Sequence, residues 1–366
     1  MNARLFAVNL AAVLALIAVG SAARAGAQKY TLAAIPNAAG LSGTCNPYAV
    51  NDRGQTVGSF AVFGGELPFL YDPSAGTRIL PGFAVNGGAD GKALSINHAG
   101  EVVGVMEFLG GIYNIGFIWD SVNGTRQIDQ IGDSNGVTAA SLGWSIDFAW
   151  QINTQGDILV HSAANGIGLW RMTTVGGVST VSVQPVPYSL DNGQVGWGTR
   201  LNDNGMVLFP GVTITGTFGT RSFAGVWNSS TDVIASVGPD GGVGIALNNN
   251  GWPFQVAGWA DYPPMVWFSG NTSNLFISIP GRTSYPTGVN DQGQAVGSSD
   301  GLATIWDNSS QTYIGNLVGS VPHAKVWSLT SANAISNPPS AKLASGFIVG
   351  VGTFNGVQNA WIATPK

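Results

Sequence analysis

The residues best suited to chemistry are aromatic side chains that stand outside any repeated phrase of the chain. Aromatic faces with carboxylates and amides beside them suit sugar rings, through CH contacts to the π face and hydrogen bonds at the ring edge. These extra aromatic residues are Trp144, Trp150, Trp197, Trp252, Trp259, Trp327, Tyr188, Tyr262 and Tyr285. The alternative interpretation is that they fill wedge-shaped gaps between irregular structural units.

Carboxylates occur near these aromatic residues and offer a second kind of chemistry. Two carboxylates at a suitable separation form the acid–base pair of most glycoside hydrolases. The candidates are Glu66, Asp90, Glu107, Asp133, Asp147, Asp191, Asp240 and Asp261. Sequence spacing does not select two of the eight, so binding without catalysis and catalysis by a carboxylate pair both stay open.

Motifs for metal ions and nucleophiles are weak. The Asn-Asp turns at Asn51, Asn202 and Asn290 offer one aspartate each, whereas Ca²⁺ takes six to eight oxygens. We therefore expect these turns to be held by side-chain to backbone hydrogen bonds. The stretch 297–301 matches the nucleophile elbow Gly-x-Ser-x-Gly, but that motif needs a strand followed by a helix, and two short strands flank it here.

The three histidines, His98, His161 and His323, lack metal-ligand spacing, and we expect His98 to lie on the opposite face from the other two. The single cysteine, Cys45, allows no internal disulfide and is expected to be a small buried hydrophobic residue rather than a reactive thiol. No phosphate loop or dinucleotide fingerprint is present in the sequence. We predict neither a metal ion nor a cofactor.

An internal repeat defines the elements that must position these side chains. An apolar residue, Asn, two turn residues, Gly and an apolar strand recur at a spacing of about 42 to 56 residues. The Asn residues are Asn51, Asn97, Asn153, Asn202, Asn248 and Asn290, and a degenerate seventh copy begins at Ile335-Ser336-Asn337. Each copy is followed by a strand that ends in an aromatic residue, as in Phe117-Ile118-Trp119-Asp120. We expect these aromatic residues to pack between units.

Seven copies of both phrases predict seven equivalent units of four short strands, which is a seven-bladed β-propeller. The last unit stops at Lys366 without a fourth strand, whereas the N-terminal part opens with an orphan strand, Tyr30 to Ile35. We therefore predict that this strand completes the C-terminal blade and closes the ring, leaving no open edge. A linear solenoid is the alternative, but it would need polar capping units at both ends.

The paired phrases resemble those of the extracellular HAF-repeat proteins of bacteria. The resemblance covers residues 28–366, and its clearest copies are Ser95 to Val105 with Gly116 to Asp120, and Gly288 to Gly297 with Thr304 to Asp307. Ile115-Gly116-Phe117 stands where the family has His-Ala-Phe. The resemblance implies a secreted repeat protein of propeller type, and it implies no catalytic residues.

Residues 1–27 predict a secretory signal peptide: Arg4, an apolar run from Phe6 to Gly20, and small residues up to Ala27. A membrane anchor is the alternative, but about 15 apolar residues fall short of the roughly 20 that a spanning helix needs. Residues 28–366 then form a single domain that is secreted, with no membrane span. With 14 Lys and Arg against 19 Asp and Glu, we also expect no nucleic-acid partner.

Three long loops break the repeat, at 132–145, 184–198 and 258–264, and loops longer than the fold needs are the usual carriers of binding. We predict a non-catalytic protein that binds a glycan or another extracellular macromolecule on one face. The alternative is a polysaccharide-active hydrolase or lyase that uses paired carboxylates at the channel mouth. The predicted ligand-binding residues are Trp144, Trp197, Trp259, Tyr262, Asp133, Asp191 and Asp261.

Deletion of residues 29–36 should cost far more stability than an ordinary terminal truncation, because a ring closed by its termini loses a strand from a blade. Thermal melting of the truncated and the full mature chain measures the difference. Equal melting temperatures would contradict closure.

Overall fold

The protein is represented by a computed structural model. It describes residues 30–38, 41–82, 90–108, 113–187, 200–216, 219–238, 242–249, 255–261, 264–269, 275–278, 284–307, 310–318 and 327–366. The predicted signal peptide lies outside this part of the chain. Among the described residues, none belongs to a helix long and apolar enough to cross a bilayer.

The strand pairings of the described residues form seven four-stranded antiparallel sheets, so the prediction of an all-β propeller with four-stranded blades is confirmed. The first three blades hold twelve strands: β2 (Thr44–Val50), β3 (Thr56–Val62), β4 (Gly65–Asp72), β5 (Gly76–Ile79); β6 (Gly91–Ile96), β7 (Val102–Phe108), β8 (Tyr113–Asp120), β9 (Gly124–Gln127); β10 (Phe148–Ile152), β11 (Ile158–Ser162), β12 (Gly166–Val175), β13 (Val178–Pro185).

The next three blades are ordered in the same way: β14 (Arg200–Leu201), β15 (Met206–Gly216), β16 (Gly219–Asn228), β17 (Val233–Val237); β18 (Gly242–Leu247), β19 (Val256–Asp261), β20 (Pro264–Ser269), β21 (Leu275–Ser278); β22 (Ser284–Val289), β23 (Gln294–Ser299), β24 (Leu302–Asp307), β25 (Ser310–Tyr313). The last blade consists of β26 (Trp327–Ile335), β27 (Ile348–Phe354), β28 (Val357–Pro365) and the N-terminal strand β1 (Tyr30–Ala34). Short 3₁₀ turns cover Ile128–Gln130, Ala140–Leu142 and Ile314–Asn316.

The N-terminal strand closes the last blade, as predicted. β1 pairs antiparallel with β28 from Tyr30 opposite Pro365 to Ala34 opposite Trp361. Tyr30 is 1% exposed, and its hydroxyl donates to the Ser345 hydroxyl. The first strand of each blade contacts the first strand of the next, and β2 contacts β26, so these inner strands form a closed ring.

Apolar side chains are buried mainly between neighbouring blades. One cluster joins Val57 and Leu70 of the first blade to Ile96 and Trp119 of the second. Among the aromatic residues that end the third strands, Trp119, Trp170, Trp227, Trp306 and Trp361 are all buried. The prediction that these residues pack between units is confirmed for these five. Cys45 is also buried, and burial raises the pKa of its thiol to about 12.

The asparagine of each repeat holds its own turn and also the next blade. In the fourth blade, the Asn202 side-chain oxygen accepts hydrogen bonds from the backbone N–H groups of Asn204 and Met206, while Gly205 turns the chain at φ +68°. The Asn202 side-chain nitrogen donates to the Asn248 carbonyl of the following blade, at 3.1 Å. The same donation links six successive pairs: Asn51–Asn97, Asn97–Asn153, Asn153–Asn202, Asn202–Asn248, Asn248–Asn290 and Asn290–Ser336. We call these six bonds the asparagine belt.

The junction between the last and first blades uses different contacts, because Ser336 replaces the asparagine. The Asn333 side chain donates to the Pro47 carbonyl at 2.9 Å. The Phe347 ring packs against Gly54, where a Cβ atom would come within 3.0 Å of it. The belt and these contacts together bridge all the neighbouring inner strands.

Replacement of Asn202 by aspartate should lower the free energy of unfolding by about 2 kcal/mol or more, because the buried carboxylate cannot donate to the Asn248 carbonyl. Urea denaturation measures the loss. Asn135→Asp is the matched control, since Asn135 is exposed. Equal stability of the two variants would show that the belt does not stabilise the fold.

Candidate functional site

A central cavity of about 920 Å³ lies inside the ring of inner strands. At one end it is lined by the turns of the asparagine belt, including Asn51, Asn97 and Asn153. At the other end it is lined by side chains from the beginnings of the inner strands and from the second strands beside them. We call this second end the mouth and define it by Tyr48, Lys92, Glu107, Phe148, Trp150, His161, Trp259 and Tyr285.

A repeated β-bulge directs one side chain of each long inner strand into the cavity. The register to the second strand skips one residue, three positions before the belt residue. Bulges re-aim a side chain in this way. The skipped residues all line the cavity: Tyr48, Leu94, Trp150, Ile245, Thr287 and Asn333. We call this set the bulge ring.

The bulge ring differs in character around the channel although the backbone is repeated. Trp150 is aromatic, Leu94 and Ile245 are aliphatic, and two members are tied to the next blade by hydrogen bonds. Thr287 donates to the Ala332 carbonyl at 2.7 Å, and Asn333 donates to the Pro47 carbonyl. The ring therefore combines a constant backbone with varied side chains, which is what a recognition surface requires.

A charged network occupies the first and second blades at the mouth. The Lys92 ammonium lies 3.0 Å from a Glu66 carboxylate oxygen and 3.1 Å from a Glu107 oxygen. Burial acts to lower the pKa of Lys92, but the two carboxylates outweigh it and raise that pKa above its ordinary value. The Ser59 hydroxyl donates to Glu66 and also bonds the Tyr48 hydroxyl at 3.0 Å. Burial raises the pKa of Tyr48, so its phenol stays protonated.

An aspartate–histidine pair stands beside this network in the third blade. The His161 ring nitrogen Nδ1 lies 2.6 Å from Asp147, which stands behind it, and the Asp147 backbone N–H donates to the His161 carbonyl. Phe148 and Trp150 flank the imidazole, with ring centroids 6.3 and 5.4 Å from it. Nδ1 is fixed by the carboxylate, so the opposite nitrogen, Nε2, is the one that a ligand would meet.

A second aromatic group faces the cavity from the fifth and sixth blades. Trp259 and Tyr285 pack edge to face, with centroids 5.6 Å apart. Trp259 is half-buried and Tyr285 is 45% exposed. The mouth therefore has aromatic faces on separate blades around one opening.

The structure separates the site residues predicted from sequence. Trp259 lines the mouth, whereas Trp144 is 7% exposed, belongs to a core cluster between the second and third blades and packs on Gly168. Trp144 thus fills a gap between blades, which was the alternative interpretation of the extra aromatic residues in the sequence. Trp197, Asp191 and Tyr262 lie outside the described residues, and for Asp261 only the backbone, at the end of β19, is described.

Asp133 has a structural role in its loop. Its carboxylate accepts backbone hydrogen bonds from Asn135, Val137 and Val181. Desolvation acts to raise the pKa of Asp133, but these donors outweigh it and lower that pKa. The Asp133 carboxylate, which was predicted from sequence to bind ligand, therefore joins its loop to β13 by a hydrogen bond.

The structure also places two of the histidines and the Gly-x-Ser-x-Gly stretch. His98 lies at the asparagine end with Asp52 at 2.8 Å, so it is separated from His161 at the mouth as expected, and His323 falls outside the described residues. The chain turns from β23 directly into β24 at 300–301, so it forms no nucleophile elbow. In the described part of the chain, no three His, Cys, Asp or Glu side chains cluster to hold a metal ion.

Sequence reasoning missed Tyr48, Lys92 and the bulge ring as site features. Glu66, Glu107, Asp147 and Trp150 were among the broad candidates but not selected. The signal available was positional: the residue three places before the repeated Asn changes from Tyr48 and Trp150 to Leu94, Ile245 and Thr287 among the copies.

Comparisons with known proteins give no close relative. No protein-family model and no curated protein matches the chain. Among solved structures, an inactive virginiamycin B lyase from Staphylococcus aureus, with quinupristin, aligns at 12% identity and TM-score 0.49 over 92% of this chain and 99% of that one. The β-propeller domain of Myceliophthora thermophila Cps50 (Swd1) aligns at 10% identity and TM-score 0.47, over 90% and 99%. The fold assignment therefore depends on the strand pairing itself.

Trp144→Ala should lower the free energy of unfolding by about 3–5 kcal/mol, because it leaves a cavity in the core cluster between the second and third blades. Chemical denaturation measures this. Tyr113→Ala, at a 62% exposed aromatic residue, should change stability by less than about 0.5 kcal/mol. A Trp144 variant as stable as the Tyr113 variant would place Trp144 outside the core.

Proposed function

We propose that the chain is a secreted repeat protein of the HAF-repeat kind that binds a glycan at the mouth of the central cavity, without catalysing a reaction. The observation that carries the proposal is the convergence of two aromatic groups, Phe148 with Trp150 and Trp259 with Tyr285, on one cavity. Aromatic faces bind sugar rings by CH contacts, and polar groups at their edges fix the hydroxyls.

The cavity dimensions support this proposal. A volume of about 920 Å³ lies within the roughly 300–1,000 Å³ of small-molecule sites. It would accept the end of a sugar chain, or a side branch, while the rest of the glycan follows the loops above the mouth. The Glu66–Lys92–Glu107 network and His161 supply hydrogen-bonding groups beside the aromatic faces.

A second candidate function is glycoside hydrolysis, and one observation favours it. Glu66 and Glu107 contact the same ammonium group, so the oxygens concerned are at most about 6 Å apart, close to the 5–5.5 Å of retaining hydrolases. The opposing fact is that the Lys92 ammonium contacts both carboxylates and so occupies the space between them, where the scissile glycosidic bond of a hydrolase substrate would have to lie. Binding is therefore the first proposal.

Loss of an aromatic face at the mouth should weaken glycan binding at least tenfold, because the stacking area of the ring is lost. The variants at the mouth are Trp150→Ala and Trp259→Ala. Trp197→Ala is added because the sequence predicts ligand binding by Trp197, a residue outside the described part of the chain. A glycan array on the wild type selects the ligand, and titration calorimetry then gives Kd for each variant.

Tyr113→Ala is the matched control, since it removes an exposed aromatic ring that does not line the cavity. Binding that is unaffected by all the mouth variants would contradict the proposed site. Release of reducing ends from any array ligand, abolished by Glu66→Gln or Glu107→Gln, would instead establish the hydrolase.

A further inference from the structure

Carboxylates outnumber cationic groups among the described residues that line the cavity. Asp52, Asp203 and Asp291 line its asparagine end and Glu107 lines its mouth, against Lys92 and Arg200. The two lining histidines each bond an aspartate, His98 to Asp52 and His161 to Asp147. The electrostatic potential of a cavity depends on this balance, and low-dielectric walls focus it. The cavity therefore disfavours an anionic ligand.

Charged side chains that stand behind the lining residues also make the mouth more negative. Lys92 is held between Glu107 and Glu66, and Asp147 stands behind His161. The Lys92 ammonium thus already has two carboxylate partners. A uronate or sulfate group entering the mouth would therefore meet carboxylates rather than a cation without a partner.

Aromatic faces beside carboxylates are also the surroundings in which a cation is stable. The negative π face of Trp or Tyr attracts an ammonium group, and the attraction grows as water is excluded. Trp150 lies beside His161, and Trp259 lies against Tyr285, all lining the same cavity. A sugar that carries an ammonium group would use both features, the aromatic faces through its ring and the carboxylates through its charge.

We propose that the ligand at the mouth is a cationic glycan, an oligosaccharide of amino sugars with free ammonium groups, selected over neutral and acidic sugars by the carboxylate excess of the cavity. The inference rests on the proposed glycan-binding function and names its substrate class. A cationic ligand also disfavours a lyase as the alternative function. A lyase acts on uronates and needs a cation to neutralise the substrate carboxylate.

The test uses a matched pair of ligands on the full mature chain. A chitosan hexamer and its fully N-acetylated form share one backbone and differ in charge. In one buffer that keeps the chitosan amines protonated, calorimetry should give at least tenfold tighter binding of the chitosan hexamer, with hexagalacturonate weaker than both. The ratio between the pair should shrink at high salt, because ions screen the attraction.

Charge variants localise the effect. Glu107→Gln, at the mouth, should reduce the affinity ratio of the matched pair at least fivefold. Glu101→Gln removes the same single charge at the asparagine end, where Glu101 bonds Asn97, and should leave the ratio within twofold. Equal or tighter binding of the acetylated hexamer or of hexagalacturonate by the wild type would overturn the cationic ligand but leave glycan binding intact. Failure of all three hexamers, with an empty glycan array, would overturn both.

Discussion

The fold depends on one side-chain hydrogen bond repeated around a ring: an asparagine amide that donates to the carbonyl of its counterpart in the next blade. Such a bond is net favourable by only about 1 kcal/mol when both partners are present. Its importance comes from burial, since Asn202 is 1% and Asn290 is 2% exposed, and an unpaired amide or carbonyl there would be costly. Each asparagine also accepts backbone bonds within its own turn, so the turn and the blade junction form together.

This arrangement explains how the cavity can vary without loss of the fold. The belt fixes the C-terminal ends of the inner strands, and the bulge three residues earlier turns one side chain inward from the same backbone geometry. Tyr48, Leu94 and Trp150 occupy equivalent places in successive blades yet differ in side-chain type. Backbone repetition therefore provides the frame, and substitutions in the bulge ring change the lining.

Much of the fold could be predicted because its determinants are local in sequence. The Asn turns and the strands ending in Trp recur as short phrases, and the orphan strand at Tyr30 predicted closure through β28. The six belt bonds could not be predicted, since a turn asparagine explains its own phrase without reference to a neighbour 42 to 56 residues away.

The candidate site was less predictable because it is assembled from different blades. Sequence reasoning selected aromatic residues on long loops; of these, Trp259 lines the cavity, whereas Trp144 is buried in the core. Trp144 is buried because Gly168 on β12 leaves room for its ring, a pairing of residues on different elements. Glu66, Lys92 and Glu107 are likewise brought together by the contact of two blades.

At the junction between the last and first blades, a residue of the bulge ring takes over the role of the asparagine belt. There the belt bond is missing, and the cross-link comes instead from Asn333, a member of the bulge ring, which donates to Pro47. The Thr287 hydroxyl, in the neighbouring blade, likewise donates to the Ala332 carbonyl. On this side of the channel the bulge residues hold blades together and have less freedom to serve a ligand. The side formed by Tyr48, Leu94 and Trp150 does not carry that duty, and it is the side where Lys92, its two carboxylates and His161 gather. Lys92, Glu107 and His161 therefore lie on blades whose junctions the asparagine belt already secures.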